Sequence, residues 1–202
     1  MPDFLLEHSV TGPVAGVDEA GRGPWAGPVV AAAAILPDDL STDLCSWLDD
    51  SKKLKGKVRE ALLVEIEPIA QLGVGIATPE EIDALNILHA TMLAMRRAVD
   101  ALPVCPATAL VDGNRAPDLD CKVMTVVKGD GRSCSIAAAS IVAKVTRDRM
   151  MSDLAERYPG YGWERNAGYG TKEHREAISR LGVTPAHRRS FAPIREAITR
   201  YG

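Results

Sequence analysis

The chain has 202 residues, 46% of them hydrophobic and 25% charged, with a formal net charge of −3. That length and apolar content suit one large folded domain, or one domain with a small appendage, and exclude a disordered chain. The longest apolar run, Val29 to Leu36, is far too short to span a bilayer, and Met1 to Glu7 shows no basic-then-apolar leader; the expectation is a cytoplasmic protein with no membrane partner.

Charge is unevenly spread. From Lys144 to the end there are 12 basic against 7 acidic residues, whereas the part before it carries 12 against 20. An acidic half beside a basic half fits a metal site next to a phosphate-binding surface, and equally fits ordinary helix surfaces. Cys45, Cys105, Cys121 and Cys134 form no C-x-x-C pair and are expected to be buried thiols.

In chain order, Val14 to Val17 and Val29 to Leu36 read as an antiparallel strand pair. Between them lies the loop Gly21-Arg22-Gly23-Pro24-Trp25-Ala26-Gly27-Pro28, and the acids Asp18 and Glu19 stand where the first strand gives out. Asp38 to Asp50 is irregular, with room for a helical turn around Leu44 to Leu48. A helix from Gly56 to Glu67 follows, with Val58, Leu62 and Ile66 as its apolar stripe. Leu72 to Ala77 is a third strand. Thr78-Pro79-Glu80-Glu81 then has the form of a capping box opening a helix, and a longer helix covers Asn86 to Leu102. Ala107 to Val111 and Val123 to Val127 are the fourth and fifth strands. A long helix from Ser133 to Tyr158 is small and apolar all round in its first half, which requires it to lie deep against a sheet. Thr171 caps a helix through Leu181, and a last helix ends near Tyr201. Strands interleaved with helices give an α/β fold with a mixed sheet and a basic, helical C-terminal part.

Four acids stand out. Asp18 and Glu19 end the first strand, Asp112 ends the fourth, and Asp148 sits on the long helix; strand ends at one edge of an α/β sheet are where such folds place their sites. Carboxylates alone suit hard divalent cations such as Mg²⁺. His8, His89, His174 and His187 are dispersed and read as surface or cap residues. Neighbouring strand residues point to opposite faces, so Asp18 and Glu19 can serve one centre only if the strand ends, bends or bulges there. A hairpin with an acidic, glycine-rich turn is the plain alternative. Ser140 and Lys144 share the helical face of Asp148 and could support it. Asp130, between two glycines, reads as a turn residue.

The stretch from Gly16 to Pro28 is joined in order by Asp50-Ser51-Lys52-Lys53-Leu54, Val111-Asp112-Gly113, Lys128-Gly129-Asp130, Ala137-Ala138-Ala139-Ser140-Ile141, Ala143-Lys144-Val145-Thr146-Arg147-Asp148, Gly168-Tyr169-Gly170-Thr171 and Arg189-Ser190-Phe191. Together these closely resemble ribonuclease HII, the bacterial type 2 ribonuclease H, over about Gly16 to Ile194. The resemblance implies a ribonuclease H-like fold, a five-stranded mixed sheet flanked by helices, as a single catalytic domain whose residues from about 158 to 202 form a C-terminal helical substrate-binding segment. It implies an endonuclease that hydrolyses the RNA strand of RNA·DNA hybrids and nicks 5′ to a single ribonucleotide in duplex DNA, leaving 5′-phosphate and 3′-hydroxyl ends. Asp18, Glu19, Asp112 and Asp148 match the family's carboxylates for two Mg²⁺ or Mn²⁺ ions. Gly21-Arg22-Gly23 matches the loop that reads the ribose 2′-OH, and Tyr169 the tyrosine that packs on the next sugar. Lys52, Lys53 and the C-terminal arginines would contact phosphates. Ala167 stands where the family often has lysine, which touches affinity more than chemistry. A monomer is expected, and no sliding-clamp peptide is seen after Phe191. Rival readings are a hybrid-binding module without catalysis, disfavoured by clustered acids near phosphates, and a resolvase or integrase-like nuclease, which would lack the Gly-Arg-Gly loop and the tyrosine.

Overall fold

The computed structural model describes residues 1–37, 47–48 and 55–201. The motif containing Lys52 and Lys53, and most of the turn expected around Leu44 to Leu48, lie outside the described residues. In order, the elements are α1 (Leu5–His8), β1 (Val14–Ala20), β2 (Val29–Ile35), α2 (Gly56–Ile66), β3 (Gln71–Ala77), α3 (Pro79–Asp100), β4 (Thr108–Asp112), β5 (Lys122–Val126), α4 (Cys134–Arg157), α5 (Trp163–Asn166), α6 (Lys172–Leu181) and α7 (Ala192–Tyr201).

The strands form one five-stranded sheet in the order β3-β2-β1-β4-β5. β1 pairs antiparallel with β2 and parallel with β4, so the sheet is mixed, as expected. The alanine run of β2 explains how two helices share this sheet. Side chains alternate across a strand: Ala32 and Ala34 pack toward α4 with Ala137, Ala138 and Ile141, while Ala31 and Ala33 pack toward α3 with Ala94, Met95 and Ala98. Methyl groups on both faces let each helix sit close to the backbone.

β1 and α4 pack backbone against backbone at Gly16, where a Cβ would stand 2.0 Å from the backbone carbon of Ser135. The small, apolar first half of α4 is therefore buried throughout, and its charged second half emerges as anticipated. Ser133 caps α4 by accepting from Ile136 N–H at 3.1 Å.

Helix α3 begins with the capping box anticipated at Thr78: Oγ1 accepts from Glu81 N–H at 3.3 Å, and Glu81 accepts from Thr78 N–H at 2.9 Å. It breaks at Asn86, whose φ is 68°, and the Asn86 side chain recaps the continuation by accepting from the N–H groups of Leu88 and His89. In α2 the buried stripe is Leu62, Leu63 and Ile66, and Val58 is exposed, contrary to the expected spacing. Cys105 is exposed and Cys121 half-buried as free thiols, whereas the buried Cys134 is disulfide-bonded. Among the described residues no helix is long and apolar enough to cross a membrane.

Replacing Gly16 by alanine is expected to destabilise the fold by ~1–3 kcal/mol, because the added methyl meets the backbone of Ser135 and Ile136. Urea unfolding of the variant measures this, and a loss under ~1 kcal/mol would mean that α4 can shift outward freely.

Candidate active site

The acids at the end of β1 do not owe their placement to a bulge. The ladder with β2 is regular through Asp18↔Ala32, Glu19↔Ala31 and Ala20↔Val30, so β1 runs three residues past the expected end at Val17. Alternation holds: Gly16, Asp18 and Ala20 face α4, and Ala15 and Val17 face α3. What ends is the pairing with β4, recorded only as far as Val17↔Val111. Beyond that point one side of β1 is open, and Glu19 lines a cleft there from the face opposite Asp18.

Asp112 is the last residue of β4 and shares the α4 side of its strand with Leu110, which packs on Ile136. Its Oδ1 accepts from Gly129 N–H at 2.7 Å. Asp18 is 3% exposed and accepts from the N–H of Glu19 at 2.7 Å. Burial, then the negative charges of Glu19 and Asp112, push the Asp18 carboxyl well above the usual carboxylate range, against hydrogen bonds from the Ser140 side chain and the Glu19 N–H. Three of the four expected acids thus act on one another electrostatically. The fourth, Asp148, is held by Lys144 one turn earlier on α4 and by Arg59 of α2 at 3.3 Å. Glu19 is held by Arg22 at 3.2 Å. The expected support from Ser140 and Lys144 is present, Ser140 on Asp18 and Lys144 on Asp148.

A donor set made only of carboxylates suits a hard divalent cation, and a cation would relieve the repulsion that raises Asp18. The residues fit such an ion. Among the described residues no three acidic, imidazole or thiol side chains form a ready-made cage, and Glu19 and Asp148 pair with Arg22 and Lys144.

The loop after β1 shares the cleft, a space of about 540 Å³ lined by Glu19, Gly21, Arg22, Gly23, Lys144 and Tyr169 among others. Gly21 has φ +96°, and a Cβ there would stand 2.0 Å from Arg147 Nε, so no other residue fits. Tyr169 is 50% exposed, and a methyl group on Gly23 would lie 3.3 Å from its ring. The loop and the tyrosine expected to work together therefore face each other. Lys52 and Lys53 lie outside the described residues. Ala167 offers its carbonyl to Arg147 at 3.1 Å.

Two arginines correct the expectation that the C-terminal basic residues serve phosphates. Arg147 is 1% and Arg188 0% exposed, and both spend their N–H groups on backbone carbonyls. Arg147 donates to Ala26, Pro28 and Ala167; Arg188 donates to Gly21, Arg22, Gly27 and Pro28. Burial lowers their pKa values to about 10 and about 9, and for Arg188 the neighbouring Arg147 adds to it, yet both stay charged at neutral pH. Asp83 of α3 anchors the segment after Arg188 by accepting from the N–H groups of Arg189 and Ser190 and from Ser190 Oγ. The hydrogen-bonding role of Arg188 was invisible in the run His187-Arg188-Arg189, which reads as basic surface. The one available hint was the hydrophobic Phe191, whose ring lies 5.2 Å from the Arg188 guanidinium carbon.

Two histidines expected at the surface are likewise buried and joined. His174 Nδ1 lies 2.9 Å from the Tyr169 carbonyl, which can only accept, so Nδ1 carries the proton. His174 Nε2 then accepts from Trp163 Nε1–H and from His187 Nε2–H, both at 3.1 Å. His187 Nδ1 accepts from Thr184 N–H at 3.0 Å. Both rings are neutral with fixed tautomers, and they brace the Tyr169 loop against the C-terminal segment.

Comparison with known proteins agrees with this architecture. The family model for ribonuclease HII matches residues 15–194. A ribonuclease HII from Paramagnetospirillum magneticum is 62% identical over 96% of this chain and 97% of its own length. The crystal structure of the ribonuclease H2 from Pyrococcus horikoshii OT3 superposes with a TM-score of 0.78 at 30% identity, covering 93% of this chain and 98% of that one. An Archaeoglobus fulgidus ribonuclease HII, solved in complex with PCNA, gives 0.72 at 30% identity over 87% and 93%.

The histidine pair sets a pH dependence. Burial, then the neighbouring His174, push His187 down to about 3, below its unfolded value of 6.5. Its neutral form thus contributes stability that is whole above about 6.5 and is lost progressively as pH falls toward about 3. Wild-type unfolding free energy, measured in urea from pH 8 to 4, should fall more steeply on acidification than that of His187→Asn; parallel curves would rule the pair out as the cause.

Proposed function

The chain belongs to the ribonuclease HII family, and from that premise we propose that this endoribonuclease hydrolyses the RNA strand of RNA·DNA hybrids and nicks 5′ to single ribonucleotides in duplex DNA. The observation that carries the reading is the shared cleft, in whose lining Glu19 stands with the Gly21–Gly23 loop and Tyr169, while the buried Asp18, next to Glu19 in the chain, interacts with the charge of Asp112.

Asp18, Glu19, Asp112 and Asp148 would hold Mg²⁺ or Mn²⁺. When bound, two such ions supply Lewis-acid activation of water and charge stabilisation at the leaving 3′-oxygen, giving 5′-phosphate and 3′-hydroxyl ends. The chain's own residues do the rest. Burial and the charges of Glu19 and Asp112 disfavour the ionised form of Asp18, and a bound cation would favour its carboxylate. Lys144 and Arg22 hold Asp148 and Glu19 until a cation binds. Backbone N–H groups of the glycine loop reach a 2′-OH without side-chain obstruction, and the 2′-OH is what distinguishes ribose from deoxyribose at one position. The Tyr169 ring offers a flat face to the adjoining sugar. Residues from about 158 onward serve as the substrate-binding segment of a single catalytic domain, with Lys52 and Lys53 on the phosphates, in a monomer acting in the cytoplasm.

With Mg²⁺ or Mn²⁺ the purified protein should nick duplex DNA carrying one ribonucleotide and leave the all-DNA control intact; equal cutting of both, or of neither, would refute the reading. Asp112→Asn should abolish cleavage while hybrid binding, followed by fluorescence anisotropy, stays within about threefold of wild type. Tyr169→Ala should reduce kcat/KM on single-ribonucleotide duplexes more than on long hybrids, and an equal loss on both would remove its role at the junction.

A further inference from the structure

Arg188 is a buried cation whose contacts are all loop carbonyls or an aromatic ring. Its Nε donates to Gly27 at 2.9 Å, one terminal nitrogen to Arg22 at 2.9 Å, and the other to Gly21 and to Pro28. One planar group thus ties the end of the β1 turn to the start of β2. A lysine, with three donors on one atom, cannot span those four oxygens.

The orientation of these carbonyls has a stereochemical consequence. Every peptide bond in the described chain is trans, and in a planar trans peptide the C=O of one residue and the N–H of the next point in opposite directions. Drawing the Gly21 carbonyl inward turns the Arg22 N–H outward; drawing the Arg22 carbonyl inward does the same to the Gly23 N–H. Arg22 and Gly23 are exposed and line the cleft opposite Tyr169. Among the described residues neither N–H has an acceptor.

We propose that Arg188 is the positioning residue that sets ribose selectivity: it aims the N–H groups of Arg22 and Gly23 into the cleft, where they meet the 2′-OH and the neighbouring phosphate oxygens. Arg188 touches no substrate atom itself. Arg147 holds the other side of the loop, at Ala26 and Pro28, and does not reach the two carbonyls that decide this aim. The inference rests on the reading of the Gly21–Gly23 loop as the ribose sensor.

The test uses Arg188→Lys in the Asp112→Asn background, with Arg188→Gln as a second variant should the first fail to fold. Affinity for duplex DNA containing one ribonucleotide is compared with affinity for the same duplex in DNA alone. Two N–H donors out of aim should lower the preference about tenfold. Thr78→Ala, which removes the distant cap of α3, loses stability and should keep the preference, so that a lower Tm alone does not imitate the effect. In the free protein, residual dipolar couplings of the Arg22 and Gly23 N–H vectors should change in the Arg188 variants while those of α3 and α4 do not. If the parent discriminates and Arg188→Lys discriminates equally well, the inference is overturned. If the parent shows no preference, the ribose reading of the loop is overturned instead.

Discussion

The structure depends on how closely α4 can lie against β1. Gly16 carries no side chain where the backbone of α4 meets β1, and the alanines of β2 and of α4 let the contact continue along the sheet. Because α4 is this close, Ser140 reaches Asp18, Arg147 reaches the carbonyls of the loop after β1, and Asp148 comes up on the same helix one turn beyond Lys144. A helix standing even one methylene farther away would strand all three. Packing density, usually discussed as a source of stability, here serves mainly to set distances between polar groups.

The charges around the cleft are sorted by depth. Acids gather where β4 stops pairing with β1, and their mutual repulsion in a buried setting is what raises Asp18. Cations appear in two kinds. Lys144, Arg59 and Arg22 reach carboxylates, and these pairs can open at modest cost because they are partly solvated. Arg147 and Arg188 are sealed and donate their hydrogen bonds to backbone carbonyls, an arrangement that cannot open without exposing buried charge. The first kind suits groups that must let go when another cation arrives; the second suits a scaffold.

Much of the architecture was legible in the sequence because its signals are local. The capping box at Thr78 and the apolar first half of α4 each announce their structure within a few residues, and the alanine run of β2, helix-like in composition, reads as a strand from its short length and its flanking Gly27-Pro28 and Pro37. The four acids could be picked out as strand-end and helix residues, and the family resemblance assigned them. Three things were not legible. Alternation suggested that the strand must end, bend or bulge at Asp18 and Glu19, whereas the ladder with β2 runs on regularly and it is the early departure of β4 that opens the strand, a property of another segment. Arg147 and Arg188 look like surface arginines, since nothing local reveals that carbonyls far away in sequence will converge on them. His174 and His187 are 13 positions apart, and only the packing of α6 against the following turn makes them partners.

These hidden contacts have a common logic. The loop after β1 has no regular secondary structure, and its glycines remove the side chains that could otherwise fix it. Its geometry must therefore be imposed from outside, and polar groups of the α4 and C-terminal segments do so: Arg147 and Arg188 through the loop's carbonyls, Gly168 through its carbonyl on Trp25 N–H at 2.8 Å, and the His174–His187 pair through the backbone of Tyr169. The hydroxyl-reading role proposed for this loop, exercised through backbone contacts, would need rigidity without bulk. Glycine supplies the absence of bulk, and buried arginine, with five donors in one plane, supplies the rigidity. The basic C-terminal part is thus divided between cations that face the solvent and cations turned inward to hold the loop.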